Sequence, residues 1–272
     1  MVDDEDDGDL SLGDISLREA ILNSSDGDTI TFDSSLSSGT ITLSLGELLV
    51  DKSLTIDGLG ANNLTIDANQ ASRVFNIDDG QEETNLDVTI DGLTITGGAA
   101  SRQNFPGDTN PDNFGGGINN QENLNLNNSH VTGNDAVAGG GGIFSAAGTL
   151  TINNSTISDN SSNSGRVAAN GGGILSKVTT EINNSTISNN SAFQSGGISS
   201  TEATEINNST ISGNKATVST GGINATGTIT SSIVAGNINE NNNSDTNNND
   251  LSGDLTSGGN NLIGDRGDLE SF

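Results

Sequence analysis

The densest chemistry in this chain lies at its start. Asp3-Asp-Glu-Asp-Asp-Gly-Asp-Leu-Ser-Leu-Gly-Asp14 puts Asp3, Glu5, Asp7 and Asp14 at positions 1, 3, 5 and 12 of a loop. Gly8 falls at position 6 and Leu10 at position 8. This is the ligand spacing of an EF-hand-like calcium loop, in which glycine permits the sharp turn and the last acid closes the shell. Carboxylates are hard ligands, so the ion expected is Ca²⁺ rather than a transition metal. No helical pattern precedes the loop, and Asp14 reaches less far than a Glu. A solvated acidic leader is therefore the competing reading.

A second constellation is scattered. A polysaccharide lyase needs a cation to neutralise the uronate and a Lys or Arg to take the α-proton. The candidates for catalytic work are His130, Arg102, Arg166 and Lys177. Two insertions, 99–114 (AASRQNFPGDTNPDNF) and 159–170 (DNSSNSGRVAAN), lengthen two repeats and are expected to wall a groove, with Asp108 and Asp112 on one of them. Decorated loops with scattered charge are the plainer alternative. His130 stands in N-N-S-H-V where other copies carry Thr156, Thr186 and Thr210, which predicts an outward surface side chain. Neither a G-H-G nor an R-I-K string, as polygalacturonase-type hydrolysis uses, is present.

Composition narrows the partners. Of 272 residues only 8 are Lys or Arg against 36 Asp or Glu, a formal charge of −28, so a nucleic-acid backbone or an anionic membrane is repelled. Cysteine is absent, which rules out disulfides and thiolate metal sites. No apolar run approaches the ~18 residues of a membrane-spanning helix, so no membrane insertion is expected. There are 7 Phe and no Trp or Tyr, so a core must rest on Ile, Leu and Val in many small layers.

Those layers repeat. LNLNNSHVTGN (124–134), LTINNSTISDN (150–160), TEINNSTISNN (180–190) and TEINNSTISGN (204–214) nearly coincide, with TITSSIVAGN (228–237) a degenerate fifth. The serine of each triplet, Ser129, Ser155, Ser185 and Ser209, recurs at steps of 26, 30 and 24 residues. A Gly run ending in Ile118, Ile143, Ile174, Ile198 and Ile223 keeps the same rhythm, including the long step. Apolar residues alternate with β-branched or polar ones, the period of half-buried strands. One such unit cannot bury its apolar face alone, whereas stacked coils bury Ile on Ile and pair each strand with its copy at ~4.8 Å.

The expected fold is all-β, a right-handed parallel β-helix with a short N-terminal capping helix. Asn and Gly suit its corners because both tolerate a left-handed backbone. The column Asn134, Asn160, Asn190, Asn214 and Asn237 is expected to stack as a structural ladder. Outward pairs Thr94/Thr96, His130/Thr132, Thr156/Ser158, Thr186/Ser188 and Thr210/Ser212 predict a two-file array. Ser, His and the following Ile233/Ala235 interrupt it, which argues against an ice- or crystal-binding surface.

Upstream, Leu54–Asp57, Leu64–Asp67 and Val88–Ile95 extend the pattern, and strands at 28–32 and 40–43 begin it. Roughly nine coils are expected. Ser16-Leu-Arg-Glu19 reads as a capping box opening a helix through about Asn23, with Leu17, Ala20 and Ile21 facing the first coil. The organisation is thus an acidic leader (1–14), a helical cap (15–27), the β-helix (28–236), an Asn-rich loop (237–250) and a closing segment (251–272).

Gly13-Asp-Ile-Ser-Leu-Arg-Glu-Ala-Ile21, Asp28–Phe32, Ser53-Leu-Thr-Ile-Asp-Gly-Leu-Gly60, Gly92-Leu-Thr-Ile-Thr-Gly97 and the late Gly258–Asp265 follow one another in characteristic order. With the GGGI and NSTISGN repeats, the chain resembles bacterial right-handed parallel β-helix exoproteins with a CSLREA-type N-terminal motif, whose repeats are shared with polymorphic outer-membrane proteins. Ile15 stands where that motif has Cys or a small residue. The resemblance implies right-handedness and an extracellular or cell-surface location, and it implies no defined reaction. Met1-Val-Asp-Asp-Glu lacks the apolar core of a signal peptide, so a fragment of a longer surface protein, or one whose leader is removed, is expected.

The leading functional expectation is a non-catalytic, monomeric structural or adhesive module that contacts polysaccharide or cell-surface glycans. The alternative is a polysaccharide-active lyase or hydrolase using the groove between 99–114 and 159–170.

Overall fold

The computed structural model describes residues 3–11, 13–81, 84–100, 113–162, 169–241, 249–265 and 269. It is a parallel β-solenoid of about 8 turns with one helix near the N-terminus. The coils stack short strands along three faces, with a further short file made of Ser161–Ser162, Ser191–Ala192, Lys215–Ala216 and Ile238–Asn239. The strands pair in parallel with their counterparts in neighbouring coils.

The first face begins with Asp28–Thr31 and continues through Leu54–Asp57, Asp87–Asp91, Asn123–Asn127, Thr149–Asn153 and Thr180–Asn183. The second runs from Gly39–Thr42 through Leu64–Asp67, Thr94–Thr96, His130–Thr132, Thr156–Ser158, Thr186–Ser188 and Thr210–Ser212 to Ile233–Ala235 and Leu262–Ile263. The third starts at Leu48–Val50 and climbs through Phe75–Ile77, Ile118–Asn120, Ile143–Ser145 and Ile174–Ser176. It meets the first face in the long strand Ile198–Asn207.

Register explains the core. Ile56, Ile90, Leu126, Ile152, Ile182 and Ile206 lie one above another on the first face, and Ile66, Ile95, Val131, Ile157, Ile187 and Ile211 on the second. All are fully buried. One methyl-bearing side chain per rung, in contact above and below, gives this narrow interior close packing with few aromatics, the fully buried Phe75 among them.

The corners are where asparagine decides. Asn128, Asn154, Asn184 and Asn208, the second Asn of each N-N-S triplet, all turn in the left-handed region with φ of 47 to 51°. The serine that follows is buried, and its Oγ accepts the backbone N–H of the preceding coil's serine. Ser129 N donates to Ser155 Oγ, Ser155 N to Ser185 Oγ and Ser185 N to Ser209 Oγ, each at 3.1 Å.

The expected asparagine ladder is present and internal. Asn134, Asn160, Asn190 and Asn214 each donate from Nδ2 to the Oδ1 of the next member, at 3.0, 3.0, 2.9 and 2.8 Å. Each Nδ2 also donates to a backbone carbonyl one coil back, as Asn190 does to Ile157 O at 2.9 Å. Buried amides thus satisfy turn carbonyls that water cannot reach.

The helix spans Leu17–Asn23 with both halves of its capping box formed. Leu17 and Ile21 are buried, but Ala20 is only half-buried. The helix packs against Leu48–Val50, so it covers the third-face side of the first coil and leaves Ile30 and Phe32 partly exposed. At the other end the closing segment adds strand to the stack. Ile238–Asn239 pairs with Lys215–Ala216, and Leu251–Gly259 with Ile223–Thr230. Residues 242–248 of the Asn-rich segment lie outside the described residues.

Candidate functional site

The leader acids are held against the cap by a residue that their spacing did not single out. Asp4 receives Arg18 Nε at 2.7 Å and the backbone N–H groups of Ser44 and Leu45 at 2.7 and 2.8 Å. Desolvation pushes its carboxyl up, but the Arg18 hydrogen bond and the two amides outweigh it and hold Asp4 below the usual range. Ser16 Oγ donates to Glu5 O, while Gly8 N and Ser16 N donate to the two Glu19 oxygens. Those backbone bonds, Ser16 N–H first, keep Glu19 low. The capping glutamate therefore ties the leader and the helix together.

This tether gathers carboxylates. Desolvation, then the charges of Asp7, Asp14, Glu19 and Asp3, push Glu5 up. Desolvation, then Asp9 and Asp7, does the same to Asp14. Glu5 Oε1 is shut off from solvent with no hydrogen-bond partner among the described residues. Of the four predicted ligands, Glu5, Asp7 and Asp14 share one electrostatic neighbourhood with Asp9 and Glu19. Asp3 is exposed at its margin. Asp7 and Asp9 also accept backbone N–H groups two residues on, from Asp9 and Ser11.

A different trio comes closer together. Among the described residues, only Asp78, Asp79 and Glu122 bring three carboxylate oxygens within 4.8 Å of one another. Glu122 is buried, and its Oε2 and Oε1 accept Leu86 N at 2.7 Å and Asp79 N at 3.3 Å. Desolvation, the largest influence, pushes its carboxyl up. Its bonds pin the ends of the connection between two coils. No sequence signal marks this group, because only the pairing of Phe75–Ile77 with Ile118–Asn120 brings Glu122 to Asp78 and Asp79.

The catalytic candidates divide between faces. His130 occupies an outward second-face position, in register with Thr94 and Thr156, and is half-buried there. Lys177 follows the third-face strand Ile174–Ser176, with Nζ 5.3 Å from the Phe144 ring and 5.8 Å from Phe114. The two rings stack at 4.6 Å. His130 thus lies on the second face and Lys177 just past a strand of the third. Arg102, Arg166, Asp108 and Asp112 lie outside the described residues.

The anchors of both insertions are described. Ala99 bridges Asp135, and Asp135 bridges Ser161; Phe114 bridges Gly139, and Gly139 bridges Asn170. Both insertions therefore leave the stack at equivalent positions, on either side of the coil carrying 135–139. Two further cations, Arg73 and Lys52, serve the fold. Arg73 pairs with Glu47 at 2.7 Å, and Lys52 Nζ reaches Asp51 at 3.3 Å and the helix-end carbonyls of Ile21 and Leu22.

The first face carries a second, external amide file. Asn153, Asn183 and Asn207 donate to the Oδ1 of Asn127, Asn153 and Asn183 at 3.0, 3.0 and 3.1 Å. Sequence reasoning singled out the internal column and missed this one, although the first Asn of every N-N-S triplet marks it. Comparison with protein-family models, with curated proteins and with solved structures returned no match for this chain.

Proposed function

We propose that this chain is a non-catalytic β-helix module of a bacterial surface or secreted protein, presenting long regular polar faces to polysaccharide or cell-surface glycans. The supporting observation is the register of the outward positions. On the second face, hydroxyls at Thr94/Thr96, Thr156/Ser158, Thr186/Ser188 and Thr210/Ser212 recur rung by rung, interrupted once by His130. On the first face, the amide file runs beside them. Such files offer donors and acceptors at the ~4.8 Å coil repeat, which suits many weak contacts with a repetitive polymer. The extracellular placement rests on the CSLREA-type resemblance.

The test is binding of the full chain to immobilised neutral and acidic polysaccharides. Retention that falls with Thr186→Ala/Thr210→Ala supports the reading, and no retention on any glycan overturns it. The alternative, a lyase or hydrolase in the groove between the insertions, is checked on the same polymers. Formation of unsaturated or reducing ends, lost with Lys177→Ala, replaces the adhesive reading by an enzymatic one.

A second reading concerns the leader, and the orphaned Glu5 Oε1 favours it. A calcium ion held by Glu5, Asp7 and Asp14, with Asp3 at the margin, relieves the mutual repulsion of these carboxylates and supplies the partner that Oε1 lacks. Its role is structural, to lock the leader onto the cap.

A further inference from the structure

The first coil departs from the rest of the stack along its inward files. Asp28 pairs with Leu54, and Leu54 with Val88. An exposed carboxylate therefore stands where the next four coils bury Leu54, Val88, Leu124 and Leu150. Two residues on, Ile30 pairs with Ile56 and is half-buried, whereas Ile56 and Ile90 are sealed. Asp28–Thr31 is the terminal strand of its sheet. It pairs with Leu54–Asp57 on one side and with no described strand on the other.

The helix does not fill the space beyond that edge. A cavity of about 830 Å³ remains between the cap and this strand, lined by Ile15, Ala20, Ile30, Phe32 and Leu36, with Asp33 also on its wall. The Asp28 N–H is already turned to Ser25 O at 3.1 Å. A terminal strand with no described strand beyond it, above a partly apolar lane, is still a template for an added strand past that residue.

We propose that this edge receives an extended segment of a partner protein, with a Lys or Arg beneath Asp28 and apolar side chains beneath Ile30 and Phe32. The charge is specific to the place, because Asp28 carries the one carboxylate in a register file that is otherwise uncharged, running through Leu54, Val88, Leu124, Leu150, Thr180 and Thr204. It also argues against a second copy as occupant, since each copy carries −28.

The test uses the full chain and an acetylated, amidated heptapeptide, Thr-Lys-Thr-Val-Thr-Ile-Thr, in ~0.15 M salt, where diffuse attraction is largely screened. Titration is expected to show one saturable site, with amide-exchange protection gained within Asp28–Thr31. Replacing the peptide Lys by Glu, or Asp28 by Asn, should weaken binding about fivefold, the upper range for an exposed ion pair. The Asp28→Asn side chain keeps an oxygen for the Ser25 N–H that Asp28 Oδ2 accepts at 2.7 Å, so the turn is retained. A peptide N-methylated at alternate residues along its pairing edge should not bind. Absence of saturable binding, undiminished binding of the N-methylated peptide, or equal affinity of the Glu peptide overturns the proposal. Concentration-dependent self-association in sedimentation, lost on Asp28→Asn, assigns the edge to a second copy and overturns it equally.

Discussion

Asn237 ends the buried amide column by donating from Nδ2 to the Asp250 carboxylate at 2.6 Å. Asp250 Oδ1 also accepts Asn237 N at 2.9 Å, and Oδ2 accepts Asp265 N at 2.7 Å. An asparagine at this place would present an unused N–H₂ to the coil beyond. A carboxylate accepts on both oxygens and has nothing left to donate, so the ladder terminates satisfied.

Asp250→Ala leaves two N–H donors of buried Asn237 and the Asp265 N–H without acceptors. The expected cost is about 2–3 kcal/mol, the desolvation penalty of orphaned buried donors. Urea unfolding checks it, with loss of exchange protection expected first in 223–265. Unchanged stability would show that the ladder end is solvated.

Within the column, Asn190→Ala removes one amide that donates to Ile157 O and Asn214 Oδ1 and accepts from Asn160. A loss of about 2 kcal/mol or more is expected, as several buried groups lose their partners together. Asn183→Ala on the external file should cost under about 1 kcal/mol, because water replaces the lost bonds. Equal losses at the two sites would refute the division into internal and external ladders.

Ile182 is fully buried between Ile152 and Ile206, whereas Thr186 faces outward. Ile182→Asp puts an unpaired charge between apolar layers and is expected to prevent cooperative folding, a cost of several kcal/mol. Thr186→Asp should fold with a melting temperature within a few degrees of the parent. Circular dichroism during thermal melting distinguishes the two.

Calcium binding should be saturable at one site, lost in Glu5→Gln/Asp14→Asn, and coupled to protons. Glu5 and Asp14 are held above the usual carboxylate range, chiefly by desolvation. Without the ion, their raised values favour the docked leader at acidic pH, and that contribution is lost as pH rises through their folded values. The ion needs both ionised, so its affinity should fall at a pH higher than for ordinary carboxylates. Calorimetry at several pH values measures this. No heat beyond dilution in the parent chain refutes the site.

The repeat rhythm, the strand period of two and the N-N-S corners determined the solenoid by themselves, because a coil with no second layer has only its neighbours to bury against. The capping box was legible for the same local reason: Ser16 and Glu19 satisfy each other's backbone within one turn. Tertiary structure decided what depends on distance across coils. Glu122 meets Asp78 and Asp79 only through strand register, Asp4 rather than Asp3 anchors the leader because Arg18 and the Ser44–Leu45 amides converge there, and Asp250 closes a column begun at Asn134. The half-covered first coil belongs to the same class. The helix signal named a cap, but its docking against Leu48–Val50 rather than Asp28–Thr31 is a matter of packing, which no local pattern encodes.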